Sequence, residues 1–276
     1  MEFPVLLMNV QWSSLNIMGT VFLEFSFFKP SLHPQILFMS KILSIETSTE
    51  VCSVSLSENG KVIDCREDLI GMNHSKLLTV FIQELLLVNN LKASDLDAVA
   101  VSEGPGSYTG LRIGVSVAKG ICFAVNKPLI AVSSLEAMAK SVLTRSSKQQ
   151  INIEENDLLV PMIDARRMEV YRTVFTSKLE VVKKVDAVII DETSFQEELN
   201  QSKIFYFGNG AEKCRNVLNH PNAIYVEGII TSANHMVELA FEKFQQKDFV
   251  DVAYFEPFYL KDFIALKSKK NILKSL

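Results

Sequence analysis

Short apolar-rich runs over residues 42–47, 52–56 and 61–68 are separated by polar breaks and by the turn pair Asn59-Gly60, a pattern that predicts three antiparallel strands. The period then changes. Behind Asn73-His74-Ser75, apolar residues fall at Leu77, Leu78, Phe81, Ile82, Leu85, Leu86 and Val88, the spacing of a helix over 73–90. They cover about half of the circumference, more than one core contact needs, so part of this face is expected to meet a partner. A short buried strand over 98–101 leads into Gly104-Pro105-Gly106-Ser107-Tyr108-Thr109-Gly110 and then into a periodic segment, which reads as strand, glycine turn and helix over 107–126 with Ser107 as N-cap. Leu111, Val115, Ala118, Cys122 and Val125 recur at heptad-like spacing there, and Gly110, Gly114 and Ala118 keep one side thin enough for a second helix to approach. Lys127-Pro128 ends this helix, 129–132 reads as another strand, and Ser133 or Ser134 caps a helix over 135–143.

The polar run 144–156 divides the chain. Beyond it, strands are predicted over 158–163, 169–176, 181–190 and 204–207, the last followed by Gly208-Asn209-Gly210 and a helix. Thr231 or Ser232 caps a further helix through Phe244, and the chain closes with Glu256-Pro257-Phe258-Tyr259-Leu260 and the basic stretch 267–274. Two strand-rich halves, each with a glycine turn, predict a duplicated α/β architecture with a cleft between lobes at 39–145 and 146–276. Residues 1–38 are rich in Phe, Leu and Met, but Glu24, Lys29, Pro30 and Pro34 interrupt them; they are expected to be an appendage outside the fold, neither signal nor span, with Met39 a natural start.

Composition narrows the function classes. With 48% hydrophobic residues in 276, the chain can bury a sizeable core. A net charge of -4 argues against holding nucleic acid by overall electrostatics, so any RNA role is expected to run through a partner. Cys52, Cys65, Cys122 and Cys214 show no paired spacing, which suits reduced thiols in a cytoplasmic protein.

Free N–H groups behind the first glycine turn make an anion site the first chemical idea, set against a turn that merely redirects the chain. Gly110 is followed by Leu111-Arg112 rather than Lys-Ser or Lys-Thr, so no Walker loop is present, and Gly104, Gly106 and Gly110 do not keep dinucleotide-fingerprint spacing. No nucleophile elbow surrounds Ser107, and His33, His74, His220 and His235 are scattered. Glu46 and Asp164 end apolar strands, where carboxylates can hold a metal or pair with arginine; Asp164 is expected to pair with Arg166 or Arg167, and Arg112 is left open between an anion ligand and a solvated residue.

Lys41-Ile42-Leu43-Ser44-Ile45-Glu46-Thr47-Ser48-Thr49, Asn73-His74-Ser75, Gly104 through Gly114, Ala118-Lys119-Gly120, Ile163-Asp164-Ala165-Arg166-Arg167 with Glu169-Val170-Tyr171, and Pro257-Phe258-Tyr259-Leu260 together resemble the TsaB (YeaZ) family, from Met39 to about Leu260. The resemblance implies an actin-like, Hsp70-like ATPase (ASKHA) fold of two lobes, each a mixed sheet flanked by helices. It also implies a cytoplasmic role in making threonylcarbamoyladenosine in tRNA. The family is the non-catalytic, dimerising relative of the transferase TsaD, whose His-x-x-x-His metal pair corresponds here to Ser134-Leu135-Glu136-Ala137-Met138. By the same resemblance this chain needs no cofactor, ATP and metal belong to partner subunits, and the partners are TsaD and the ATPase TsaE. Transfer RNA is then reached only through the complex, no membrane is involved, and a homodimer can form through the same helices. The expected interface is Asn73, His74, Leu77, Leu78, Phe81, Leu85, Leu111, Gly114, Val115, Ala118 and Cys122. A vestigial anion or nucleotide cleft would comprise Glu46, Thr47, Ser48, Gly104, Gly106, Ser107, Gly208 and Gly210. The alternative is a working nucleotide- or metal-dependent enzyme of the same fold, of the kind once labelled a glycoprotease-like peptidase.

Overall fold

Strand β1, Lys41–Glu46, pairs antiparallel with β2, Cys52–Glu58, and β2 with β3, Lys61–Asp68. On its other edge β1 pairs parallel with β4, Ala98–Gly104, which pairs parallel with β5, Leu129–Ser133. The first sheet therefore runs β3-β2-β1-β4-β5. The second half repeats this order with β6, Leu158–Asp164, β7, Glu169–Thr176, β8, Val181–Ile189, β9, Ile204–Phe207, and β10, Ala223–Tyr225, in a sheet running β8-β7-β6-β9-β10. Antiparallel pairing joins β6, β7 and β8, while β9 and β10 are parallel additions. This duplicated pair of mixed sheets is the actin-like architecture. The computed structural model describes residues 39–261 apart from 70, 72 and 149, so the expectations for 1–38 and for the basic stretch 267–274 lie outside the described residues.

Alternation along β1 sends its residues to two cores. Leu43 and Ile45 join Val99, Val101, Val54 and Leu56 on the face covered by α1, His74–Val88, and α2, Tyr108–Val125. Ile42 points the other way and meets Ala100, Ile130, Met236 and Ala240, the last two on α5, Ala233–Gln246. Sequence order and packing part company here. Helix α5 lies beyond residue 146 yet covers the first sheet, whereas α3, Ser134–Ser147, lies mostly before it and puts Leu135, Met138 and Val142 against Leu159, Ile163 and Phe175 of the second. The two helices touch, and Lys140 of α3 is within 3.2 Å of both Glu238 and Glu242 of α5.

Two second-half elements differ from expectation. No α-helix follows Gly208-Asn209-Gly210, only a 3₁₀ turn over Glu212–Cys214. Ala211, Cys214 and Leu218 reach the core, but His220-Pro221-Asn222 soon stops the segment and turns it into β10. The short helix α4, Gln196–Gln201, buries only Leu199 and carries no sequence period long enough to announce itself.

Candidate functional site

Helices α1 and α2 lie side by side over the first sheet. Of the residues expected to face a partner, Leu78, Leu85, Leu111, Val115, Ala118 and Cys122 are buried inside the chain's own core. They are corrected from interface to core because β1, β2 and β4 present Leu43, Ile45, Val54 and Val101 on that side, and only these helices can cover them. Gly114 is likewise internal. A Cβ there would come well inside 3.0 Å of the Thr47 hydroxyl, so the thin side of α2 accommodates the end of β1 rather than a second molecule's helix. His74 is buried, and its Nε2 lies 3.2 Å from the Val51 carbonyl oxygen, which makes it a structural tie. Asn73 is exposed, and Leu77 and Phe81 are half-buried.

The outward side of the pair is apolar too. Val80 and Val88 are exposed, Leu87 is 73% exposed and Phe123 is 86% exposed. Leu77, Phe81, Ile113, Val117 and Ile121 are half-buried and pack against the core beneath. The helix circumference announced this excess, but the sequence pattern did not say which half of it pointed out. By length and composition α2 could cross a bilayer; its buried stripe, Leu111, Val115, Ala118 and Cys122, is nevertheless engaged by the first sheet.

At the strand ends, both glycine turns close on the chain itself. Glu46 is 1% exposed, its Oε1 accepts the Ser48 N–H at 2.6 Å, and the hydroxyls of Ser48, Ser102 and Ser134 surround its carboxyl. Burial pushes that carboxyl above the ordinary range, and the serine donors only partly offset it. Thr47 donates from Oγ1 to the Gly110 carbonyl at 2.8 Å, and Ser107 donates its N–H to the Ser48 carbonyl at 2.6 Å. A Cβ on Gly106 would collide with that same Ser48 carbonyl, and Gly104 has φ +104°, a left-handed value that favours glycine. Ser107 caps α2 as expected, accepting from Gly110 N. The helix-start donors of an anion cradle are thus partly engaged by Ser48 and Ser107.

Gly208, at φ +97°, and Gly210 wrap the end of β6, and Gly210 donates its N–H to the Met162 carbonyl at 3.0 Å. Between them Asn209 accepts the Asp164 N–H at Oδ1, 3.0 Å, and donates from Nδ2 to Glu50 at 3.1 and 3.3 Å. The Thr49 and Thr231 hydroxyls meet at 2.6 Å beside this bridge. Glu50, Asn209 and Thr231 therefore bring the two halves together, although no local pattern marks them out. Asp164 takes Lys213 as its ion-pair partner, not Arg166 or Arg167; it also accepts the Arg166 backbone N–H at 2.8 Å. Arg112 stacks on Tyr108, with Cζ 4.6 Å from the ring centroid.

The chemistry on offer is limited. Ser134 and Met138 are buried, the first beside Glu46 and the second in the α3 core, and a hydroxyl with a thioether does not fit a hard divalent ion. Among the described residues no three His, Cys, Asp or Glu side chains group so as to hold a metal. Burial pushes the Cys52, Cys65, Cys122 and Cys214 thiols up to about 11, so they stay protonated and weakly nucleophilic at neutral pH. A hollow of about 200 Å³ beyond Gly208 and Asn209 contains Arg215, but Glu212 and Glu227, at 2.9 and 3.1 Å, neutralise that guanidinium.

The model of the tRNA N6-adenosine threonylcarbamoyltransferase family, TsaD, matches residues 68–269. The tRNA threonylcarbamoyladenosine biosynthesis protein TsaB of Haemophilus influenzae is 29% identical over 235 residues, 82% of this chain and 95% of that protein. Its Escherichia coli K12 counterpart is 27% identical over 234 residues, 82% of this chain and 97% of that protein. Among solved structures, YeaZ from Pseudomonas aeruginosa superimposes with a TM-score of 0.69 at 25% identity, covering 80% of this chain and 100% of that one.

Proposed function

We propose, from the premise that the chain belongs to the TsaB (YeaZ) branch of the tRNA N6-adenosine threonylcarbamoyltransferase family, that it is the non-catalytic docking subunit of threonylcarbamoyladenosine formation in tRNA. The observation that carries this reading is the outward side of α1 and α2, where Val80, Leu87 and Val88 of the first helix and Phe123 of the second are each exposed. Exposed large apolar side chains grouped on one rigid pair of helices are what a helix-on-helix interface requires. A transferase of the same fold, TsaD, is the partner this face fits; a homodimer through it is the fallback, and TsaE joins the assembled pair.

The absence of chemistry from this subunit is supported by what occupies the equivalent places. By the family resemblance Ser134 and Met138 correspond to the transferase's metal-binding pair, and the glycine turns are filled by Thr47, Ser48 and Met162. ATP and metal are then the partners' cofactors, and the assembly works in the cytoplasm. The test is reconstitution of the full chain with a family transferase, TsaE, ATP and the threonylcarbamoyl adenylate as group donor, reading co-elution and threonylcarbamoyladenosine in tRNA. The modification is expected only when the transferase is present, with the chain co-eluting beside it. Modification by the chain alone, or failure to co-elute, would overturn the reading.

A further inference from the structure

Arg166 and Arg167, in the turn between β6 and β7, have φ of +74° and +52°, both in the left-handed region. Side chains other than Gly, Asn and Asp are uncommon there. At the β2–β3 turn the same chain meets the same demand with Asn59-Gly60, at φ +52° and +74°. Two exposed arginines held at consecutive disfavoured positions point to a use for their guanidinium groups, since Asn-Gly would make such a turn more easily. Neither guanidinium has an ion-pair partner among the described residues. The nearby carboxylates are already engaged, Asp164 by Lys213 and Glu169 by Lys261.

The arginines do not stand alone. Lys261 Nζ lies 5.8 Å from the Tyr171 ring, four residues beyond Arg167. Two residues before Lys261, the Tyr259 ring lies 4.8 Å from Tyr108, which carries Arg112 on it at 4.6 Å. The Phe258 N–H, bonded to the Glu103 carbonyl at 2.8 Å, pins this strap across the first glycine turn. Cations and half-exposed rings therefore alternate from the β6–β7 turn to the start of α2. In sequence Lys267, Lys269, Lys270 and Lys274 follow.

We propose that this row, centred on Arg166, Arg167, Tyr171 and Tyr259, contacts RNA directly, taking phosphates on the arginines and unpaired bases on the rings. Interleaved guanidinium and phenol groups suit a single-stranded loop, whose bases are free to stack, better than an acidic protein, which would use the cations and leave the rings idle. The net charge of -4 means that the remaining surface repels a polyanion, so this row also orients what it binds. The choice of transfer RNA as the ligand rests on the function proposed above.

The test is fluorescence anisotropy of the full chain with a labelled, unmodified tRNA transcript, from about 50 to about 200 mM salt. Wild type is expected to bind at the low end. The double variant Arg166→Asn with Arg167→Gly is expected to lose at least about tenfold in affinity and about two in salt slope, with an unchanged or raised thermal midpoint, because Asn and Gly accept the left-handed backbone. Tyr259→Ala is expected to lose about fivefold or more at an unchanged slope. No binding by wild type at low salt, equal binding by the double variant, or displacement of RNA by polyglutamate at matched charge would each overturn the proposal. A wild type that holds the transferase but not RNA sinks this row alone; one that holds RNA but no transferase sinks only the docking role.

Discussion

Asn209 donates from Nδ2 to both carboxylate oxygens of Glu50, at 3.1 and 3.3 Å, and so fastens the turn after β9 to the connection between β1 and β2. The same amide oxygen that accepts from Asp164 N fixes the flip of this side chain, so the bridge is a three-point contact. Asn209→Ala is expected to cost about 2 kcal/mol, a drop of about 4–8 °C in thermal midpoint. Because the two residues share one interaction, Glu50→Ala with Asn209→Ala should cost less than the sum of the single changes. Strict additivity in thermal unfolding would show that the bridge contributes nothing.

Leu85 and Leu87 separate core from solvent face on one helix. Leu85 is fully buried and Leu87 is 73% exposed. Leu85→Glu is therefore expected to unfold the first half, while Leu87→Glu and Phe123→Glu keep the wild-type midpoint and lose co-elution with the transferase by at least about tenfold. Undiminished co-elution of the Phe123→Glu variant would move the interface elsewhere.

Gly114 and Gly120 sit on the same helix in opposite circumstances. A Cβ on Gly114 would drive into Thr47, whereas nothing lies within 4 Å of one on Gly120. Gly114→Ala should destabilise by about 2–4 kcal/mol, as overpacking beside a bonded hydroxyl does, and Gly120→Ala should stabilise by about 0.5–1 kcal/mol through helix propensity. Denaturant titration reads both, and equal signs would contradict the packing described.

Glu46 imposes a pH dependence with a definite sign. Burial raises its carboxyl above the ordinary glutamate value of about 4.5, so the folded chain keeps a proton that the unfolded chain releases. Stability from this group is full below that value and falls as pH rises through the window from 4.5 to the raised folded pKa. Glu103 and Glu136 are shifted the same way by burial, and His235, held below its usual range, the opposite way. Glu46→Gln keeps the acceptor for Ser48 N–H and removes the titration, so its stability relative to wild type should grow with pH across that window. A difference that stays flat with pH would show that Glu46 does not titrate as described.

Much of the fold was legible. The strands at Lys41–Glu46 and Glu169–Thr176, the glycine turn behind Ala98–Gly104 and the four long helices each carry a period or a cap that their own residues state. Ala223–Tyr225 and Gln196–Gln201 were not legible, because three and six residues are too few to show a period. The candidate interface was half legible. The sequence showed that α1 and α2 carry more apolar surface than one contact needs, but Leu78 and Val80 look alike until the sheet beneath them is in place.

By itself the amino-acid sequence determined the two strand-rich halves and the family motifs, since these are local in the chain. Tertiary structure decided which glycine face, which leucines and which strand ends meet one another. Gly114 is thin for Thr47, sixty-seven residues earlier, and Asn209 reaches Glu50 across most of the fold. Such contacts depend on side chains far apart in the chain arriving at one place, and no local pattern of polarity records that arrival.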